Sequence, residues 1–214
     1  MNPQTPWNID REIPELRKEY FEKEFHDFDL EKGYDDRAIE WFKTHILTDS
    51  LSFFSTKENL LDVGCASGYF SRIFKKSFKT VKGVDFCEVR INHAKQYESE
   101  DLKFQLADLT KIEHLKELNQ TFDNFYSSAV IPHINLADKV KVFDNLASIA
   151  NPGATFVLYD GYSDKPTNIH DEFVGVFNEK WLSKNISSWR VVNCGHLVRD
   201  VFRYVLKKSD EAPR

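Results

Sequence analysis

The chain has 214 residues and a formal net charge of −5. Hydrophobic residues make up 41% of it, and its 18 phenylalanines can supply the core of one domain with a modest appendage. The cationic residues are scattered rather than clustered, which disfavours a nucleic-acid substrate. No stretch has the apolar length of a membrane span and the N-terminus lacks a signal-peptide pattern, so we expect a cytoplasmic protein with no membrane partner.

The cysteines and histidines do not form a recognisable metal or disulfide pattern. Cys65, Cys87 and Cys194 are odd in number, far apart in the chain and outside any C-x-x-C motif. The seven histidines show no H-E-x-x-H motif or paired ligand spacing. We therefore expect no metal site.

Two amphipathic helices are predicted before the first strand. They cover about 14–29 and about 35–45, and they suggest an N-terminal cap or lid over 1–50 ahead of a main domain over 51–214. Their apolar faces could pad the sheet, or their other faces could cover an active site, and both possibilities stay open. Three side chains off the strongest apolar stripe are candidate substrate contacts: Tyr20, His26 and Tyr34.

From Asn59 onward, predicted strands and helices alternate, which implies a parallel sheet with right-handed crossovers. Strands are expected near 60–63, 80–85, 102–106, 122–127 and 154–159, and helices near 69–78, 88–98, 111–118, 137–150 and 169–182. The end of the chain differs, because no helix separates its last two strands. These strands, Trp189–Asn193 and Val201–Leu206 with a loop over 194–199, predict an antiparallel pair.

A glycine-containing turn follows the first predicted strand. Gly64 and Gly68 bracket this turn between a strand and a helix, an order that places backbone N–H groups beside a nucleotide-like ligand. The turn alone is a weak signal, because its G-x-A-x-G spacing lacks the third glycine of dinucleotide-binding enzymes. Asp85, at the end of the second strand, could accept hydrogen bonds from both ribose hydroxyls of an adenosine. Asp108, after the third strand, could read an adenine amino group or cap the next helix.

With these elements the chain resembles the class I S-adenosylmethionine (SAM)-dependent methyltransferase family. The matching stretches are LLDVGCASGYF, VKGVD, FQLADL, FDNFYSSAV and NPGATFVLYD. The family resemblance implies a Rossmann-like, doubly wound sheet of seven strands, mostly parallel, with an antiparallel C-terminal strand. One departure is Ala66, where the family usually has the middle glycine of the turn.

The resemblance also implies a cofactor site beyond the carboxyl ends of the strands. The implied cofactor-binding residues are Asp62, Gly64, Cys65, Ala66, Gly68, Asp85, Phe86, Asp108, Leu109 and Ser127. Asp62 could instead orient the turn. Asp160 and Tyr162, after the fifth strand, are further candidate substrate contacts. His133, after the fourth strand, could act as a catalytic base near neutral pH or could be a structural loop histidine.

The function implied by the resemblance is transfer of a methyl group from SAM to a hydroxyl or amine of a small molecule, such as a metabolite, a sugar or a natural product, with S-adenosylhomocysteine (SAH) as the second product. Strand four ends in Ser127-Ser128 and lacks the Asn/Asp-Pro-Pro-Tyr/Phe element of DNA amino-methylating enzymes. Two alternatives remain: a non-catalytic SAM- or nucleotide-binding partner subunit, and an NAD-binding Rossmann-like domain. The terminal antiparallel pair argues against the NAD-binding alternative.

Overall fold

A computed structural model describes residues 36–131, 134, 136–161, 177–198 and 201–209. The strands are β1 (Asn59–Val63), β2 (Thr80–Asp85), β3 (Leu102–Leu106), β4 (Phe122–Ser128), β5 (Ala150–Gly161), β6 (Trp189–Val198) and β7 (Val201–Lys208). The α-helices are α1 (Asp36–Trp41), α2 (Thr48–Phe53), α3 (Tyr69–Phe74), α4 (Glu88–Ala94), α5 (Ile112–Lys116), α6 (Leu136–Ser148) and α7 (Glu179–Asn185). A π-helical segment (Phe42–Leu47) joins α1 to α2, and a 3-10 turn (Lys95–Tyr97) follows α4.

The seven strands form one sheet in the order β3-β2-β1-β4-β5-β7-β6. Strands β1 to β5 pair in parallel, and β7 lies antiparallel between β5 and β6. This arrangement confirms the predicted fold class. The strand order reverses direction beside β1, so the switch point lies between β1 and β4, where ligands bind in open α/β sheets.

The C-terminal hairpin is longer than the sequence indicated. Strand β6 continues through the predicted loop over 194–199, since Cys194 pairs with Tyr204 and His196 with Phe202. The predicted loop is therefore wrong as far as Val198. Two irregularities in the β6–β7 register interrupt the alternation of side chains, which explains why the pattern in this stretch did not indicate a strand.

The sheet has a hydrophobic cluster on each face. The α6 face carries α5, α6 and α7, with Leu115, Phe143 and Leu182 buried against the sheet. The α3 face carries the π-helical segment, α3 and α4, with Phe42 and Phe74 among its buried side chains. Because both faces are covered, the central strands are buried runs without polar alternation, as parallel strands usually are.

The helical segment before β1 packs onto the α3 face. Phe42 is buried and its ring stacks on that of Phe70, with 3.8 Å between ring centroids. The Asp49 carboxylate accepts hydrogen bonds from the Tyr159 hydroxyl and from Nη1 of Arg203, both at 2.7 Å. The helix predicted over 35–45 therefore extends to residue 53 and pads the sheet. The first predicted helix lies outside the described residues.

The last helix begins later than predicted. The Asn178 side chain accepts a hydrogen bond from the Trp181 backbone N–H at 2.9 Å and caps α7, which starts at Glu179 and so overlaps the helix predicted over 169–182 only in its last four residues. Phe177 and Asn178 are thus not helical; residues 169–176 lie outside the described part of the chain.

Among the described residues, no helix is both long and apolar enough to cross a membrane. In the same residues, no cluster of three or more His, Cys, Asp or Glu side chains could hold a metal ion.

Candidate functional site

The turn after β1 is held in a left-handed backbone conformation and anchored on β2. Gly64, Ala66 and Gly68 have φ angles of 76°, 49° and 74°. The backbone N–H groups of Gly64 and Cys65 both donate to the Val84 carbonyl, at 2.8 and 2.9 Å. Glycine adopts positive φ without steric cost, whereas Ala66 does so at some expense.

Two glycines leave room for the ring of Phe104 beneath this turn. A Cβ atom on Gly68 would lie 2.4 Å from Phe104 Cζ. A Cβ atom on Gly83 in β2 would lie 2.7 Å from Phe104 Cδ1 and 2.8 Å from Cys65 Sγ. Gly83 was not among the predicted site residues, although an isolated glycine inside a strand often marks such a close approach.

Asp85 lies at the end of β2 and is 6% exposed. One carboxylate oxygen accepts from the Ala66 backbone N–H and the other from the Cys87 N–H, both at 2.9 Å. Burial raises the pKa of Asp85, while the Cys87 N–H and the positive charge of Arg90 act to lower it. Arg90 was not singled out in the sequence, although its position on α4, five residues after Asp85, makes it a natural counter-charge.

Asp62 is also buried on the α3 face, beside the same turn. The Ser71 hydroxyl of α3 donates to its Oδ2 at 2.5 Å. Burial raises the pKa of Asp62 to about 7, with a further contribution from the negative charge of Asp85, and the Ser71 hydrogen bond works against both. This contact ties β1 to α3, so the geometry supports the orienting role for Asp62.

At the end of β3, Asp108 forms a local turn. Its Oδ1 accepts from the backbone N–H of Thr110 at 2.9 Å and from the Thr110 hydroxyl at 2.7 Å. Burial acts to raise the pKa of Asp108, but these hydrogen bonds and nearby cations lower it overall. The N-cap residue of α5 is Lys111, so the alternative in which Asp108 caps this helix is wrong. Leu106, in register with Asp85, is 38% exposed and offers an apolar wall.

Ser127 and Asp160 lie on the other side of the sheet from Asp62. Ser127 pairs with Leu158, and Asp160 is two residues further along β5, so all three point to the α6 face. Burial raises the pKa of Asp160 well above its usual range, while the nearby Lys139 ammonium and neighbouring backbone N–H groups act to lower it. Burial in turn lowers the pKa of Lys139 to about 8.

The structure thus places most of the predicted site residues in two groups, while Asp108 and Leu109 follow β3 and Leu109 packs against the α6-face cluster. The glycine turn, Asp62 and Asp85 lie together on the α3 face, with Phe86 directly after β2. Ser127 and Asp160 lie together on the α6 face. Five predicted residues fall outside the described part of the chain: Tyr20, His26, Tyr34, His133 and Tyr162. Every assignment of a role to these residues stays a prediction.

The α3-face group fits an adenosine-containing ligand. Each oxygen of Asp85 already accepts one backbone N–H and retains lone-pair capacity for a hydroxyl donor. The exposed side chain of Leu106 is the register partner of Asp85 on β3, where the flat face of a nucleobase could pack. Four backbone N–H groups of the turn donate within the protein, to the Val84 carbonyl, the Asp85 carboxylate and the Cys65 carbonyl, so the turn offers a ligand close approach to its backbone rather than free donors.

Comparisons with known proteins agree with this geometry. A family model described as "Methyltransferase domain" matches residues 37–197. No curated protein sequence matches the chain. The structure of N-methyltransferase NodS from Bradyrhizobium japonicum WM9, in complex with SAH, superposes with a TM-score of 0.70 at 15% identity, covering 91% of this chain and 100% of that one.

Two further structures have the same fold. A putative methyltransferase solved in complex with the Haloferax volcanii Trm112 activator has a TM-score of 0.63 at 15% identity, covering 84% of this chain and 96% of that one. A structure described as "Conversion of a Disulfide Bond into a Thioacetal Group during Echinomycin Biosynthesis" has a TM-score of 0.62 at 12% identity, covering 79% and 82%. Because the family model spans most of the chain, the protein belongs to the methyltransferase-domain family and is a class I SAM-dependent methyltransferase.

Proposed function

We propose that this enzyme methylates a hydroxyl or amine of a small molecule. The observation that carries the proposal is the acidic end of the sheet, where an acid lies at or near the ends of β1, β2, β3 and β5: Asp62, Asp85, Asp108 and Asp160. Three of these carboxyl groups are buried, so they offer hydrogen-bond acceptors to ribose hydroxyls and to the N–H or O–H of a small acceptor rather than a charged surface. NodS, which shares the fold, is an N-methyltransferase, and the echinomycin structure concerns a natural product.

SAM supplies a methyl group on a sulfonium whose departure as a neutral thioether needs little assistance from the protein. We assign its adenosine to the Gly64–Gly68 turn, with Asp85 accepting from the ribose hydroxyls and Leu106 against the base. Asp62 holds the turn through Ser71. Positioning of donor and acceptor is then the main contribution of this chain to catalysis.

Residues before the described part of the chain complete the proposal. Residues 36–53 pad the α3 face, so we place the proposed lid in residues 1–35, where Tyr20, His26 and Tyr34 could contact the acceptor. Deleting residues 1–30 should then leave SAH binding largely intact and abolish methyl transfer. A truncation that becomes insoluble would indicate that these residues are core, and one that retains full activity would contradict a lid.

The direct experiment has two steps. Calorimetry with SAH and with NAD tests the cofactor, and we expect binding of SAH alone. Transfer of a radiolabelled methyl group from SAM to a panel of amines, alcohols, sugars, protein and RNA then tests the acceptor class. Labelling of small amines or alcohols supports the proposal. Labelling of RNA or protein alone, or tight binding of NAD with no response to SAH, contradicts it.

A further inference from the structure

Two polar side chains on the α6 face are buried and have no hydrogen-bond partner within the part of the chain that the structure describes. Asp160 is 3% exposed and Ser127 is fully buried. Neither oxygen of the Asp160 carboxylate, nor the Ser127 hydroxyl, has a hydrogen-bond partner among the described residues. The backbone N–H groups of Ile131 and Ala129 lie near enough to Asp160 to lower its pKa, but neither makes a hydrogen bond of normal geometry to the carboxylate. The Ala129 N–H donates instead to the Tyr159 carbonyl, at 3.0 Å. The strands of Ser127 and Asp160 are neighbours and their side chains share a face, so the two groups lie close together at the carboxyl end of β4 and β5.

The other buried acids in the described part of the chain do not share this property. Asp62 accepts from the Ser71 hydroxyl, and Asp85 accepts from two backbone N–H groups. Asp49, which is partly buried, accepts from Tyr159 and Arg203. Leaving a buried carboxylate without well-placed donors is costly, and such groups in native proteins call for a specific explanation.

A cation lies near the pair. Lys139 of α6 is fully buried, its ammonium is 5.5 Å from the centroid of the Phe177 ring, and its charge acts on Asp160. A neighbouring positive charge makes burial of the carboxylate tolerable. It does not supply the hydrogen-bond donors that the two carboxylate oxygens lack in the described structure.

We propose that Asp160, with Ser127 beside it, binds the N–H or O–H donor of the methyl acceptor and so determines which acceptors are used. This inference rests on the proposed function, because it places an amine or hydroxyl acceptor next to β4. The proposed cofactor site, formed by the Gly64–Gly68 turn and Asp85, lies on the opposite face at the same end of the sheet. A compound whose donor hydrogens are all replaced by methyl groups leaves the Asp160 carboxylate without a partner. Such compounds are therefore rejected, as sites built to hydrogen-bond a substrate reject analogues that lack the donor.

The test uses the full chain saturated with SAH and a set of paired small ligands. Each amine or alcohol is matched with its fully methylated analogue, beginning with aniline against N,N-dimethylaniline and benzyl alcohol against benzyl methyl ether. Ligand-observed NMR gives the ratio of affinities within each pair. The variants are Asp160→Leu, which removes both acceptor oxygens and keeps the approximate size of the side chain, and Ser127→Ala. Asp49→Leu is the matched control, because it removes a carboxylate from the α3 side of the sheet.

In the wild-type protein we expect at least one donor-bearing ligand to bind about tenfold or more tightly than its methylated partner. Asp160→Leu should reduce that ratio to below about twofold, Ser127→Ala should reduce it partly, and Asp49→Leu should leave it unchanged. If wild-type protein shows no preference for donors across the set, or if Asp160→Leu retains the preference, the inference is wrong. SAH affinity, measured for wild type and every variant, distinguishes failure of this inference from failure of the proposed function. If the wild-type chain does not bind SAH, the proposed function itself is wrong.

Discussion

At the carboxyl end of the strands, the two faces of the sheet differ in the hydrogen bonding of their buried acids. On the α3 face, the carboxylates of Asp62 and Asp85 accept hydrogen bonds from other groups of the protein. The cradle formed by these two acids and the Gly64–Gly68 turn is therefore organised before any ligand binds. On the α6 face, Ser127 and Asp160 lack such partners among the described residues. Internal hydrogen bonds on one face fix a geometry for a common cofactor. On the other face, the unused hydrogen-bonding capacity of Asp160 and Ser127 is available to bind a particular methyl acceptor.

The tight contact beneath the turn should give the largest effect on stability. In Gly68→Ala, a left-handed φ of 74° combines with a clash against Phe104. We expect a loss of about 2–4 kcal/mol in the free energy of unfolding, from backbone strain and overpacking together. Denaturant unfolding measures this loss.

Gly153→Ala is the matched control for that variant. Gly153 has a φ of 70°, and a Cβ atom on it would have nothing within 4 Å, so this position reports backbone strain alone. Its cost should be about 1 kcal/mol. Equal losses in the two variants would show that the Phe104 ring moves aside freely and that the cradle is not rigid.

The buried Asp62 should make stability depend on pH. Its pKa is raised to about 7, so between about pH 4 and pH 7 the folded protein binds a proton that the unfolded chain has released. Stability is therefore present at the acidic end of this range and is lost as pH rises, by at most about 1.4 kcal/mol per pH unit. Asp85 and Cys65 face the same region, and the Ser71 hydroxyl bonds to Asp62 directly.

Unfolding measured across this pH range in wild type and in Asp62→Asn checks the effect. The variant should have a flatter profile, whereas Asp144→Asn, on the exposed side of α6, should keep the wild-type slope. A wild-type protein that gains stability steadily from pH 4 to pH 7, with the same slope in Asp62→Asn, would show that Asp62 is ionised throughout.

The smallest expected effect is a gain in the free energy of unfolding when Ala66 is replaced by glycine. This residue has a φ of 49°, where the family usually has glycine. Ala66→Gly should remove the left-handed strain, and after the higher chain entropy of glycine is subtracted the net gain is about 0.5 kcal/mol. Asn119→Gly is the control, since Asn119 has a similar φ of 50° but asparagine tolerates it. If Ala66→Gly destabilises the protein, the alanine methyl group makes a packing contribution larger than the strain.

Much of the fold could be predicted from local patterns, because each of β1 to β5 contains apolar residues at a spacing typical of a strand and helices separate these strands in the chain. The longer β6 could not, since its irregular register with β7 hides the alternation. In the candidate site, the acids at strand ends could be recognised from the sequence. The face of the sheet on which each acid lies depends on the pairing register of its strand, which the sequence does not show. Ser127 was grouped with the cofactor residues for that reason, and its pairing with Leu158 places it on the α6 face. Gly83 and Arg90 become significant only through contacts distant in sequence.

The most direct test of the division between the two faces is the affinity for SAH, measured by calorimetry on wild type, Asp85→Asn and Asp160→Asn. We predict that Asp85→Asn weakens SAH binding by about tenfold or more, because it removes a charged acceptor for the ribose hydroxyls. Asp160→Asn should bind SAH within about twofold of wild type, because its side chain serves the acceptor. Wild-type affinity in Asp85→Asn, or an equal loss in both variants, would contradict the account.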